Sequence, residues 1–120
     1  MRLWTKIWLN TEELLMFLFS LFLFQQIDLS WWWYVGLFFV PDISFLAYVI
    51  NPLIGAYAYN ILHHKGIMLA FYIIGLTTGS IWFTAVGIIF FGHSCFDRIM
   101  GYGLKMPESF QETHLGRIGK

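Results

Sequence analysis

"LIGAYAYNILHHKGIMLAFYIIGL", Leu53 to Leu76, decides the fold. Read whole, it is one apolar helix of membrane-spanning length; cut at "HHKG", it leaves an eleven-residue piece too short to cross a hydrocarbon core that needs about twenty residues. The whole reading is the consistent one. Asn51 and Pro52 make the turn before it, and "GLTTGS" leads out of it. Outward from this span, an apolar run from about Glu12 to Gln26 forms the first crossing, with Trp4 and Trp8 lying in the interface. The second starts at the anchor Trp31, Trp32, Trp33 and Tyr34 and continues to Ile50; the fourth runs from Ile81 to Ile99. The loops are short, which predicts an all-α, four-helix, up-and-down membrane bundle over residues 1–105, followed by a polar cytoplasmic tail over residues 106–120.

Composition agrees. A 120-residue chain with 58% hydrophobic, 21% aromatic and 12% charged residues cannot hide that much apolar surface inside a globule. Its formal net charge of zero gives no case for a nucleic-acid partner. Arg2 and Lys6 precede an apolar run as in an export signal, but "QQIDLSWWWY" offers no small-x-small cleavage pattern, so the segment reads as retained. The single Cys95 has no disulfide partner in the chain and reads as a small core residue.

Arg2 and Lys6 flank the first span, while Arg98, Lys105, Arg117 and Lys120 follow the last; an excess of basic residues marks the cytoplasmic side, so both termini are expected there. Depth then follows from the helical rise. Asp42 lies roughly 17 Å below the outer end of its span, His63 roughly 15 Å above the inner end of its own, and His93 roughly 18 Å below the outer end of the fourth. Asp97 is one turn nearer the cytoplasm. Three helices thus bring ionisable groups to one level, where each costs a few kcal/mol in hydrocarbon and must face the interior and find partners.

His93 and Asp97, four apart, share a face, and Ala56, Asn60 and His63 share another. A pocket lined by Asp42, Asn60, His63, His93 and Asp97 is the simplest arrangement. Imidazoles and carboxylates at one depth suit a divalent metal (zinc, iron or manganese) held by Asp42, His63, His93 and Asp97. The alternative is a metal-free hydrogen-bonded network in which Asp97 orients His93 and pairs Arg98 or Lys105.

Other residues read more simply. Glu12 and Glu13 open the first helix, where its dipole favours carboxylates. Gly75 and Gly79 form G-x-x-x-G, either a close-packing stripe or part of a turn. Lys65 needs a partner, and Asp42 or Asp97 would serve. Pro41 loosens the second helix just before Asp42. "GYG" ends the last helix through a left-handed glycine. In the tail, Pro107 is placed to start a short interfacial helix with Phe110 and Leu115 on lipid, and His114 reaches toward the pocket mouth or is solvated.

"PDISFLAY" (Pro41 to Tyr48), "YNILH" (Tyr59 to His63), "HSCFDRIMGYGLK" (His93 to Lys105) and "THLGR" (Thr113 to Arg117) together resemble the signature blocks of a small bacterial four-helix integral membrane family, catalogued as domain of unknown function 4260. The resemblance covers nearly the whole chain. It implies a multi-pass protein of the bacterial cytoplasmic (inner) membrane, with Asp42, Ser44, Tyr48, Asn60, His63, His93, Asp97, Arg98, Tyr102, Gly103, Lys105 and His114 at signature positions; it brings no reaction. Ser44 and Tyr48 lie on a different helical face from Asp42.

Three functions fit. The first is a metal-dependent intramembrane hydrolase of a lipid-like ester or amide, with Asp42 and His93 catalytic, Arg98 and Lys105 meeting an anionic head group, and Asn60, Tyr102 and His114 in support. The second is a proton- or ion-coupled transporter, which needs a homo-oligomer to build a cavity. The third is a non-catalytic assembly subunit. Membrane lipids are the expected partner throughout. The apolar outer half of every span disfavours a conduit and favours the hydrolase.

Overall fold

The computed structural model describes residues 2–43, 50–101, 105–106, 109–113 and 116–117. The expected positions Ser44, Tyr48, Tyr102, Gly103, Pro107, His114 and Leu115 lie outside these residues. The described residues form five helices: α1 (Leu3–Gln25), α2 (Trp31–Phe38), α3 (Pro52–Leu62), α4 (Lys65–Thr78) and α5 (Ile81–Ile99).

α1 starts nine residues before the expected Glu12, because nothing in "LWTKIWLNT" breaks a helix. Glu13 is therefore mid-helix and buried, not a first-turn carboxylate. α2 opens where expected, its Ser30 Oγ accepting from the Trp32 N–H at 3.3 Å. The expected span to Ile50 is not continuous. Pro41 has no N–H and its ring clashes with the carbonyl four residues back, so the helix ends at Phe38 and a tight 3₁₀ turn over residues 40–43 follows.

The unbroken Leu53–Leu76 span is also corrected: α3 and α4 meet at a 51° bend across His63 and His64. Side chains supply the partners that a continuous helix would have provided from its backbone. Asn51 caps α3 through Oδ1, accepting from Ile54 N–H at 2.8 Å, with Pro52 in the first turn where its missing donor costs nothing. His64 caps α4, its Nδ1 accepting from Ile67 N–H at 3.1 Å. α4 closes on Gly79, whose φ of 74° is the left-handed cap conformation, and Ser80 caps α5 two residues into the chain reversal. Gly79 thus belongs to the turn, and Gly75 to close packing against Thr84. α5 occupies the span read from the sequence, and Gly101, at φ 90°, follows its end.

The packing is centred on α5 rather than passed from neighbour to neighbour round a four-helix ring. α5 lies between α1 and α4, with α2 against a third side. Gly92 faces Ser20, and Phe17 packs on Phe96, so α1 and α5 are antiparallel; Gly75 beside Thr84 and Gly87 beside Met68 and Tyr72 set α4 antiparallel too. Ser20 Oγ donates to the Phe17 carbonyl at 2.8 Å and lies 2.8 Å from the Tyr34 hydroxyl, so a buried hydroxyl pair fits into the space that Gly92 leaves. Around it Phe24, Ile88, Ile89, Phe91 and Cys95 fill the core, Cys95 as the small buried residue expected.

Where the chain was expected to continue as an interfacial helix after Pro107, the described residues form a three-stranded antiparallel sheet of β1 (Lys105–Met106), β2 (Ser109–Thr113) and β3 (Gly116–Arg117). Phe110 is in β2, not on a helix. Met106 pairs with Ser109 and Thr113 with Gly116, tight reversals that a helix could not make. The sheet lies against α3.

Polar groups are buried within the apolar core while many large apolar side chains face outward. Glu13, Ser20, His63, Thr84, His93, Ser94 and Asp97 are buried, whereas Leu15, Leu18, Phe19, Phe22, Trp32, Ile73, Leu76 and Trp82 are exposed. So many exposed large apolar side chains mark a surface made for something other than water. Among the described residues α1 is the one helix long and apolar enough to cross a membrane, and the α3–α4 pair passes the same test if its bend lies within one span.

Candidate metal centre

The two breaks in the helices fall at the same place. The turn after α2 delivers Asp42, the end of α3 delivers His63, and α5 delivers His93 and Asp97 one turn apart. Their donor atoms converge to within 4.8 Å of one another. His93 Nε2 lies 3.1 Å from Asp42 Oδ1, 3.1 Å from Asp97 Oδ2 and 3.1 Å from His63 Nε2. His63 Nε2 lies 3.2 Å from Asp97 Oδ2 and 3.6 Å from Asp42 Oδ1. The side chains of His63, His93 and Asp97 are 0%, 2% and 10% exposed, whereas Asp42 is 52% exposed and forms the open side.

Proton accounting shows what this arrangement can hold. His63 Nδ1 sits 2.8 Å from the Tyr59 carbonyl, which can only accept, so Nδ1 carries the proton and a neutral His63 turns the Nε2 lone pair inward. That lone pair faces two carboxylate oxygens. His93 Nε2 has a single proton at most to share among three acceptors, so with His63 neutral several of the five contacts would join lone pair to lone pair. A cation among the four atoms satisfies all of them. Ligands placed tetrahedrally at about 2.0–2.1 Å from zinc are about 3.3 Å apart, the spacing seen between the nitrogens and oxygens here. Two imidazoles and two carboxylates are hard-to-borderline donors that suit zinc, iron or manganese.

The supports are visible. His63 is stacked on Tyr59 with ring centroids 3.8 Å apart and an 8° interplanar angle, and Phe38 closes edge-on against His93 at 4.8 Å. Arg98 Nη2 donates to the His63 carbonyl at 3.2 Å, so at least one of its donors serves the helix break. Asn60, half-buried on α3, is one turn before His63. Lys105 is the first residue of β1. Lys65 pairs with neither Asp42 nor Asp97: its ammonium is bonded to Glu13 of α1.

Phe38 and the pairing of Glu13 with Lys65 are what sequence reasoning missed, together with the way Tyr59 acts on His63. Glu13 carried a signal: with the helix begun at Leu3, it becomes a carboxylate ten residues into an apolar helix, which requires a cationic partner, and Lys65 is the free lysine at matching depth. Tyr59 acts through its backbone and ring face, which no motif encodes.

A family model described as "Domain of unknown function (DUF4260)" matches residues 6–118. The chain belongs to this family. All four donors of the cluster, both helix breaks and the tail sheet fall inside the matched range of this DUF4260 chain. No curated protein and no solved structure matches it.

Proposed function

We propose that this DUF4260 protein is a multi-pass membrane protein in which Asp42, His63, His93 and Asp97 hold a divalent cation and promote hydrolysis of a lipid-like ester or amide. The observation that carries the proposal is the convergence of His63 Nε2 and His93 Nε2 on the Asp42 and Asp97 carboxylates, with His63 oriented through its Nδ1 contact to the Tyr59 carbonyl. Four crossings, two of them broken at the centre, accommodate the chain: irregular backbone at membrane depth is tolerated where it is buried in protein or lines a cavity. α1 and α5 are antiparallel, so Leu3 and Ile99 share one end with Arg2, Lys6 and Arg98, and by the basic-residue rule that end is cytoplasmic. Trp33 and Trp82, edge-on at 4.9 Å, belong at the opposite interface.

A divalent ion held by these four residues would polarise an acyl carbonyl and acidify water. Asp42, half-exposed at the rim, is the carboxylate placed to take the proton from that water as its oxygen bonds to the acyl carbon. The carbon–oxygen or carbon–nitrogen bond to the leaving group then breaks, and the proton passes from Asp42 to the departing alkoxide or amine. Water and ester give acid and alcohol, with no oxidant needed. Exposed Phe39 and Ile43 lie beside Asp42 in the chain, and an apolar rim around a single carboxylate suits an amphiphile arriving from the bilayer.

Asp42→Asn keeps a neutral isostere at the rim. In detergent micelles containing fluorogenic phospholipid and acylglycerol esters, with metal supplied in excess to offset the weakened ligand, it is expected to lose hydrolysis by about 100-fold or more, the scale of a general base. Metal-loaded wild-type protein inert toward the whole ester and amide series would refute the hydrolase reading and leave the metal reading standing.

A further inference from the structure

His63 is an unusual ligand in one respect: it is the C-cap just past a helix that ends at Leu62, so its position depends on whatever holds the break. On one side, Arg98 of α5 donates to the His63 carbonyl at 3.2 Å. On the other, Lys65, the first residue of α4, is bonded through its ammonium to Glu13 of α1. The Glu13 and Lys65 side chains are 11% and 27% exposed, so the pair is largely removed from solvent. Glu13 Oε2 is buried with no hydrogen-bond partner.

A buried ion pair with an unsatisfied oxygen is a poor source of stability, because desolvating the two charges offsets most of their attraction and an apolar pair of the same volume is often as stable. Such pairs are better at fixing one register among several. Here the register they fix is that of the three residues His63 to Lys65, gripped from α5 at the first and from α1 at the last. α1 supplies no donor to the centre, and Glu13 is the bond by which it reaches the break.

We propose that Glu13, Lys65 and Arg98 are positioning residues that clamp the His63–Lys65 break, and that the clamp sets the affinity of the centre for its cation. The inference rests on the metal reading above. Without the clamp, the short break between α3 and α4 is free to shift, and His63 Nε2 leaves the point where the four donors meet. An error of a fraction of an ångström is enough to spoil a four-ligand site. The loss expected is 10- to 100-fold, the usual scale for residues that orient metal ligands.

The test is cobalt(II) and zinc titration of the full chain in detergent, following the visible absorption of cobalt, with far-ultraviolet circular dichroism to monitor folding. Removing one charge risks leaving the other stranded, so the deciding variant is the doubly neutral Glu13→Gln with Lys65→Met. It is expected to unfold at or above the wild-type temperature yet bind cobalt about 10- to 100-fold more weakly with an altered spectrum. Lys65→Arg, which keeps the pair, is expected to stay within about threefold of wild type. A folded double variant with wild-type affinity and spectrum overturns the clamp, as does a Lys65→Arg variant as weak as the double one. Failure of the wild type itself to bind either metal removes the metal reading and the clamp together.

Discussion

His93→Ala is expected to abolish stoichiometric metal binding, lowering affinity by well over about 100-fold, beyond the range of orienting residues. His93 is the hub of the cluster: its Nε2 is within 3.1 Å of both carboxylates and of His63. Its removal leaves two carboxylates and one imidazole around a gap the size of a ring, with Phe38 losing its edge contact. The consequence extends to folding. A ligand that binds only the native state stabilises it by about 4 kcal/mol when present at a thousand times its dissociation constant. Thermal unfolding of the wild type is therefore expected to rise as zinc is added, whereas that of His93→Ala stays flat. A variant whose unfolding temperature still responds to zinc like the wild type would contradict the assignment of His93 as a ligand.

A large effect on stability alone is expected at Gly87, as at Gly75, whose added Cβ would run into the Thr84 amide nitrogen. A Cβ there would lie 2.5 Å from the Tyr72 amide nitrogen and 2.6 Å from the Met68 carbonyl oxygen, both backbone atoms of α4 that no rotamer change can move. α4 and α5 form the most extensive helix pair, and they touch through this residue. Replacing a helical glycine by alanine ordinarily gains about 1 kcal/mol of helix propensity. At Gly87 the overpacking cost of about 1–3 kcal/mol reverses that sign for alanine, and valine costs more. Gly36 in α2, with nothing within 4 Å of its added Cβ, is the control: Gly36→Ala is expected to be neutral or to stabilise by up to about 1 kcal/mol. Equal behaviour of the two alanine variants in detergent unfolding curves would show that the α4–α5 contact is looser than described.

What was legible in the sequence was whatever depended on local chemistry or on the cost of burying charge. α5 could be bounded at both ends because Ser80 offers a hydroxyl cap and Gly101 a left-handed exit. Asp42, His63, His93 and Asp97 could be grouped because each is expensive in an apolar interior, and the expense forces them together. The breaks were harder. Length alone rejects an eleven-residue helix as a crossing, but α3 ends at Leu62 because His64 replaces the missing cap and Arg98, thirty-five residues away, takes the His63 carbonyl. That second partner is tertiary information. At Pro41 the signal was present and its strength was underestimated: the proline does more than loosen the helix, and the 3₁₀ turn it starts aims Asp42 at His93. Glu13 was assigned to a helix terminus because the first helix was begun too late, a boundary error that hid the ion pair with Lys65.

The convergence of four donors on one point is the central claim, and metal content per chain tests it most directly. Detergent-purified full-length protein, expressed in metal-replete medium and freed of loosely bound ions, is measured by elemental mass spectrometry against protein concentration. The account predicts close to one zinc, iron or manganese ion per chain in the wild type and a background level in His93→Ala that retains its helical spectrum. A wild type that carries no more metal than that variant, and takes none up when zinc, iron(II) or manganese(II) is supplied, would contradict it.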